Sequence, residues 1–322
     1  MKTVLVTGGA GFIGSHFIRL LLKESGYFVI NYDILTYAGN LNNLRDVDSN
    51  PNYIFIKGDI RNRTDVEQLF RTYDIDVVVN FAAESHVDRS IVAADDFITT
   101  NLLGTQTLMD VAKASWMNLN DGSFKGGKKF IQISTDEVYG SISEGSFDEE
   151  SPLLPNSPYS ASKASADLIA RSYYQTYNFP VIITRSSNNY GPNQYPEKLI
   201  PLFISLAKED KPLPLYGNGR QVRDWIHVED NCSAILRVLN NGKEGEIYNI
   251  GANNEYRNID IAKIILNELG KPESLLTYVK DRPGHDIRYS INANKLINQF
   301  GWTPNIKFNH GIAQLVVKSV SR

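Results

Sequence analysis

Near its amino end the chain runs from an apolar stretch, Thr3-Val4-Leu5-Val6-Thr7, straight into Gly8-Gly9-Ala10-Gly11-Phe12-Ile13-Gly14. A helical pattern follows from Ile13 to about Ser25. Buried strand, glycine turn and helix in that order admit few folds. Gly9, Gly11 and Gly14 fit G-x-G-x-x-G, and Gly8, Gly11 and Gly14 fit G-x-x-G-x-x-G. Without side chains, such a turn lets backbone amides approach a pyrophosphate at the helix N-terminus. A second strand, Tyr27 to Tyr32, ends in Asp33. A carboxylate about 20 residues past the glycines accepts from a ribose 2′-hydroxyl and repels a 2′-phosphate, which selects NAD over NADP. The plain alternative is a structural glycine turn followed by a loop aspartate.

Alternation continues. A third strand, Tyr53 to Lys57, ends at Gly58-Asp59-Ile60, where the acid either meets an adenine amino group or serves as a turn residue. A helix from Thr64 to Thr72 is expected to be capped by Thr64, with Glu67 at the capping-box spacing. A fourth strand, Asp76 to Asn80, runs into Phe81-Ala82-Ala83-Glu84-Ser85, whose small residues leave room for a cofactor. One long helix is expected from Asp95 to Trp116; its Thr100-Asn101 pair faces the cofactor or bonds locally. Strands five and six are expected at Lys129 to Ser134 and Pro180 to Arg185. The order predicts a doubly wound parallel α/β sheet, a Rossmann fold. Past residue 190 the alternation breaks, with prolines at 192, 196, 201, 212 and 214. We expect residues 1–190 to be the dinucleotide-binding domain, with about 220–255 returning to it. Most of 191–322 would then form a smaller mixed α/β substrate-binding domain.

Two stretches carry chemistry. The fifth strand ends in Ser134-Thr135-Asp136-Glu137-Val138-Tyr139-Gly140. Adjacent carboxylates at the carboxyl edge of a central strand point into the ligand crevice, where burial and repulsion split their pKa values into one acid and one base. Elsewhere the same pair would be a solvated acidic turn. Ser157-Pro158 then opens a helix that carries Tyr159 and Lys163 four residues apart, on one face. An ammonium beside a phenol favours the phenolate, so the pair is expected to act as a general base. As an isolated pair it would be ordinary helix-surface packing.

Bulk properties narrow the partners. Net charge is −3, which recommends neither nucleic acid nor an anionic membrane as partner. A phosphate ligand must find local cations; Lys198, Arg223, Arg282 and His285 are available. One cysteine, Cys232, forbids an internal disulfide, and the five histidines lack metal-ligand spacing. No signal-like apolar segment precedes the first strand, so a cytoplasmic enzyme without a metal is expected.

With these residues in view, the chain resembles the extended short-chain dehydrogenase/reductase superfamily, whose two signatures are Gly8 to Gly14 and Tyr159-x-x-x-Lys163. Within it the chain is similar to the sugar-nucleotide 4,6-dehydratases, through Ala82 to Ser90, Ser134 to Gly140, Ser187 to Pro192, Gln221 to Trp225 and Asp281 to Tyr289. The Asp136-Glu137 pair separates it from the sugar-nucleotide 4-epimerases, the alternative within the fold together with dehydratases of other nucleotide sugars. The resemblance implies NAD held by Gly8, Gly11, Phe12, Ile13, Gly14, Asp33, Ile34, Leu35, Thr36, Asp59, Ile60, Phe81, Ala82, Ala83, Ser85, Thr100 and Asn189, alongside Tyr159 and Lys163. It implies dTDP-glucose held by Ser85, Thr135, Asn188, Lys198, Leu199, Pro214, Leu215, Tyr216, Arg223, Asn258, Asp281, Arg282, Pro283, Gly284 and His285. Tyr159, Lys163, Thr135, Asp136 and Glu137 would be catalytic. A homodimer through the helices near 95–116 and 158–177 is also implied. Ile34 stands where the family often has lysine, which would loosen an adenosine contact.

Overall fold

A computed structural model of the chain describes residues 1–320. Strand β1 (Lys2–Thr7) leads through the glycine turn into α1 (Phe12–Lys23), then β2 (Tyr27–Asp33), β3 (Tyr53–Lys57), α2 (Arg63–Thr72) and β4 (Val77–Asn80). Helices α3 (Val87–Val92) and α4 (Asp95–Phe97) follow; α4 continues as a π-helix, Ile98–Gly104, into α5 (Thr105–Trp116). Next come β5 (Lys129–Thr135), a 3₁₀ turn (Asp136–Tyr139), α6 (Pro158–Tyr177) and β6 (Val181–Ser186). The remainder comprises β7 (Asn188–Tyr190), α7 (Leu199–Lys208), β8 (Leu213–Tyr216), β9 (Val222–His227), α8 (Val228–Asn241) and β10 (Ile247–Ile250). It closes with β11 (Glu255–Arg257), α9 (Asn258–Glu268), β12 (Leu276–Val279), α10 (Asn294–Phe300) and α11 (Phe308–Val320).

Seven strands form one sheet in the order β10-β6-β5-β4-β1-β2-β3, with every neighbouring pair parallel. This is the doubly wound sheet expected from the sequence. Strands of such a sheet are covered on both faces, which is why β4 reads Val-Val-Val-Asn and is buried throughout. One face packs α1 and α8 through Phe17, Leu21, Ile235 and Leu239. The other packs α2, α5 and α6 through Leu69, Leu108, Met109 and Tyr173. Each such side chain stabilises by about 1.5–3 kcal/mol when fully buried. Strand order reverses between β1 and β4, and the crevice at such a point is where ligands bind. A third core, with Phe203, Ile261, Ile265 and Phe308, joins α7, α9 and α11. Beside it lie two small sheets, β11-β9-β7 and β12-β8. Among the described residues no helix is long and apolar enough to cross a membrane.

Two local expectations are corrected. Helix α2 is capped by Asn62, whose side chain accepts from the amide of Asp65, and not by Thr64, which lies inside the helix. Asparagine is as good a cap as threonine or better, and its position wins. The expected helix from Asp95 to Trp116 is regular only at its ends. Its π segment carries Asn101, which accepts from the Glu84 amide at 2.8 Å and donates to the Glu84 carbonyl at 3.0 Å and to Ser162 at 2.8 Å. The extra residue in the turn places Asn101 as a brace between the end of β4 and α6, a common use of π-bulges.

Candidate active site

The carboxyl ends of β1, β4, β5 and β6 open into a cavity of about 480 Å³. At its floor Gly8 has φ +65°, and a Cβ there would meet the Ala82 amide nitrogen at 2.7 Å. A Cβ on Gly14 would meet the Gly8 carbonyl oxygen at 2.5 Å. The turn therefore tolerates no side chain at either position, and Gly11 is the N-cap of α1, so no side chain caps its amides. That is the cradle a pyrophosphate requires. Asp33 supports it: its carboxylate accepts from the Ala10 amide at 2.9 Å and the Leu35 amide at 2.8 Å. Burial raises its pKa, and those two bonds oppose the rise. Asp59 lines the same cavity but is paired with Arg61 at 2.7 Å. Gly14→Ala is expected to destabilise the fold by about 1–3 kcal/mol through overpacking. Denaturant melting checks this; an unchanged midpoint would show that the turn has slack.

Thr135 ends β5, and its hydroxyl accepts from the Glu137 amide at 3.3 Å, capping the 3₁₀ turn. Gly140 lets the chain leave that turn at φ +84°, where a Cβ would meet the Leu154 carbonyl oxygen at 2.3 Å. The turn thus sets Asp136 and Glu137 into the cavity wall. Asp136 is 2% exposed; one carboxylate oxygen accepts from the Thr135 hydroxyl at 3.2 Å and the other has no partner. Burial, then the Glu137 charge beside it, pushes its pKa well above the ordinary aspartate value. Glu137 is raised by burial too, but Arg223, Arg282 and Lys198 pull it back. Two neighbouring acids are thereby driven apart in basicity, the condition for one acid and one base.

Helix α6 is launched by a capping box between Ser157 and Ser160, with Pro158 at its first position. Tyr159 and Lys163 reach the cavity from it. Their expected electrostatics need correction. Burial, Glu137 and Asp136 push the Tyr159 phenol up, and the Thr135 hydroxyl is the group that works the other way. Lys163 Nζ donates to the Ile133 carbonyl, and burial lowers this lysine to about 8. The protein alone keeps the phenol protonated; its activation needs a further positive charge at this end of the cavity.

Every cofactor residue expected from the sequence lines the cavity except Leu35, which adopts φ +60° and donates its amide to Asp33. Of the substrate set, Ser85, Thr135, Asn188 and Lys198 line it. Leu215 is buried in the third core, and Pro214, Tyr216, Leu199 and Asn258 also lie off the cavity. Arg223 donates to the carbonyls of Val222 and Asp286, Arg282 pairs with Asp88 at 2.9 Å, and His285 pairs with Asp281 at 2.6 Å. Pro283 and Gly284 sit in the same turn, and a Cβ on Gly284 would meet the Asn156 carbonyl oxygen at 2.9 Å. Sequence reasoning missed Tyr289, whose hydroxyl reaches Glu137 at 3.4 Å and Asp286 at 2.5 Å. It also missed Gln194 and Tyr195 on the cavity wall. A hydroxyl that meets an acid 152 positions away leaves no local signal.

The family model described as GDP-mannose 4,6 dehydratase matches residues 5–315. This chain belongs to that family. The dTDP-glucose 4,6-dehydratase of Haemophilus influenzae is 51% identical over 98% of this chain and 97% of its own length. The structure of the dTDP-glucose 4,6-dehydratase DesIV of Streptomyces venezuelae, solved with NAD bound, matches with a TM-score of 0.93 and 47% identity over 100% of this chain and 98% of that one. The UDP-glucose 4-epimerase of Thermus thermophilus, also with NAD, superposes with a TM-score of 0.87 over 98% of each chain, at 30% identity. The dehydratase resemblance read in the sequence is borne out, and the epimerase alternative is the more distant one.

Proposed function

We propose that the chain is an NAD-dependent hydro-lyase that converts dTDP-D-glucose to dTDP-4-keto-6-deoxy-D-glucose and water. The observation that carries this is the cavity wall itself, where Tyr159, Glu137 and a buried Asp136 with one unpartnered oxygen lie together, burial raising the Asp136 pKa. The glycine cradle and Asp33 fit the dinucleotide, which when bound supplies the hydride acceptor for C4, the hydride donor for C6 and a positive charge near the phenol. Tyr159 takes the proton of the sugar 4-hydroxyl, and Thr135 bonds the C4 oxygen. A carbonyl at C4 acidifies the C5 proton, which Glu137 removes. Asp136 protonates the departing 6-hydroxyl, which leaves as water; Glu137 returns its proton to C5 as C6 is reduced, and the proton gained by Tyr159 balances the one given up by Asp136. The resemblance supports roles for Lys198, Arg223 and Arg282 around the nucleotide sugar, and their charges already bear on Glu137.

We further take residues 1–190, with β9, α8 and β10, as the cofactor part and most of 191–322 as the substrate part. A homodimer is supported by exposed Ile98, Leu103 and Leu168 on neighbouring helices. A cytoplasmic role in deoxysugar supply, dTDP-rhamnose included, rests on the sequence resemblance; the relatives' name, dTDP-glucose 4,6-dehydratase, supports the reaction alone. Incubation with dTDP-glucose should give a product lighter by one water, and a parallel incubation with UDP-glucose reads the base preference. An isomer of unchanged mass would indicate epimerisation and overturn the proposal. Sedimentation as a monomer at micromolar concentration would reject the dimer.

A further inference from the structure

Behind the reacting groups lies a buried polar chain that the mechanism does not use. Asp167 follows Lys163 by one helical turn on α6 and is 1% exposed. Its carboxylate accepts from Arg185 Nε on β6 at 2.9 Å. Arg185 Nη1 donates to the Tyr139 hydroxyl at 2.8 Å, and its guanidinium stands 4.8 Å from the centre of the Tyr139 ring. The Tyr139 hydroxyl in turn donates to Asn249 on β10 at 2.8 Å. Tyr139 is the last residue of the 3₁₀ turn that holds Asp136 and Glu137. One continuous path of contacts therefore runs from the helix of Tyr159 and Lys163, through β6, to the turn of the two acids.

We propose that Asp167, Arg185 and Tyr139 are positioning residues for the reaction: Asp167 holds the Lys163 ammonium in its charged form, and Arg185 with Tyr139 sets the acid turn against α6. This rests on the function proposed above. A buried ion pair is weak evidence for stability, because apolar residues of similar volume often hold a fold as well or better. Here the pair links two elements that must keep a fixed relation during catalysis. Lys163 meets the Ile133 carbonyl on β5, lies one helical turn from Tyr159 and from Asp167 on α6, and lines the cavity together with Asp136 and Glu137, while Arg185 pairs with Asp167. Among them, Asp167 is the charge that supports the ammonium against burial. Arg185 and Lys163 both favour the carboxylate of Asp167, and so does the Ser134 hydroxyl.

The test reads Lys163 itself and needs no substrate. In protein labelled with ¹³C-lysine, the Lys163 signal, assigned with Lys163→Met, is followed against pH by nuclear magnetic resonance in the wild type, Asp167→Asn and the double variant Asp167→Asn/Arg185→Gln. The double variant removes both buried charges together, so it tests the idea even where the single variant folds poorly. The Lys163 midpoint is expected to fall by about one unit, a tenfold change in proton affinity, in every variant lacking the Asp167 carboxylate. On this proposal the Lys163 ammonium, which favours the Tyr159 phenolate, is the working form, so the alkaline limb of kcat for dTDP-glucose moves to lower pH by the same amount, with KM little changed. Tyr139→Phe should lower kcat without moving the Lys163 midpoint. An unmoved midpoint in folded variants, with only the melting temperature lowered, would overturn the proposal and leave the trio purely structural. Absence of any dehydrated product in the wild type would instead overturn the proposed function, and the Lys163 titration would still report on Asp167.

Discussion

Tyr159→Phe is expected to lower kcat by about 10²–10⁴-fold, the usual contribution of a positioned acid-base group, with KM for dTDP-glucose little affected. The phenylalanine ring keeps the edge-on contact that Tyr159 makes with Phe97, centroids 6.3 Å apart, so packing is preserved and the hydroxyl alone is lost. The loss falls on the first chemical step, removal of the 4-hydroxyl proton. Rapid mixing with substrate should therefore show no early formation of reduced cofactor, followed by its near-ultraviolet absorbance. Reduced cofactor appearing at the wild-type rate would remove Tyr159 from its assigned role. Burial, Glu137 and Asp136 all oppose the phenolate, so the fold by itself keeps this group from acting as a base.

Asp136→Asn is the second variant with a large expected effect, and its signature differs. Oxidation at C4 should proceed while departure of the 6-hydroxyl slows by about 10²–10⁴-fold, so reduced cofactor builds up and decays slowly. Product formation at the wild-type rate would assign the acid elsewhere. The same substitution should stabilise the fold at neutral pH. In the unfolded chain this carboxyl ionises near 3.9, whereas in the fold burial and the Glu137 charge hold its proton on well above that value. Between those two values the folded state binds the extra proton, so stability falls as pH rises. Asparagine, which does not ionise, removes that fall. A melting temperature for Asp136→Asn that rises relative to wild type from pH 4 towards neutrality checks the sign; a constant difference would show that Asp136 ionises freely in the fold.

Much of the cofactor site was legible because its parts are local. The strand before Gly8, the spacing to Gly14 and the acid at Asp33 lie within one strand-helix-strand unit, and the capping residues of α6 adjoin the pair they present. The acid turn was legible for a similar reason: Thr135 caps it and Gly140 releases it within six residues. The cap of α2 was misplaced because Asn62 and Thr64 are both capable caps and local propensity separates them weakly. The π segment left no signal because its cause is Asn101, whose partners Glu84 and Ser162 lie 17 and 61 positions away.

What the chain's own order of residues determined is a set of pieces: a parallel sheet, a dinucleotide cradle, and a phenol-ammonium pair and two acids each set on its own element. Those follow from periodicity, glycine sterics and capping, which act over a few residues. Only the tertiary structure decided the proton affinities. Burial raises Asp136 and Tyr159, three cations from distant segments temper Glu137, and burial brings Lys163 to about 8. Desolvation and charge act through space, and the groups that exert them come together only when β5, α6 and the Arg282 turn pack near one another in the fold.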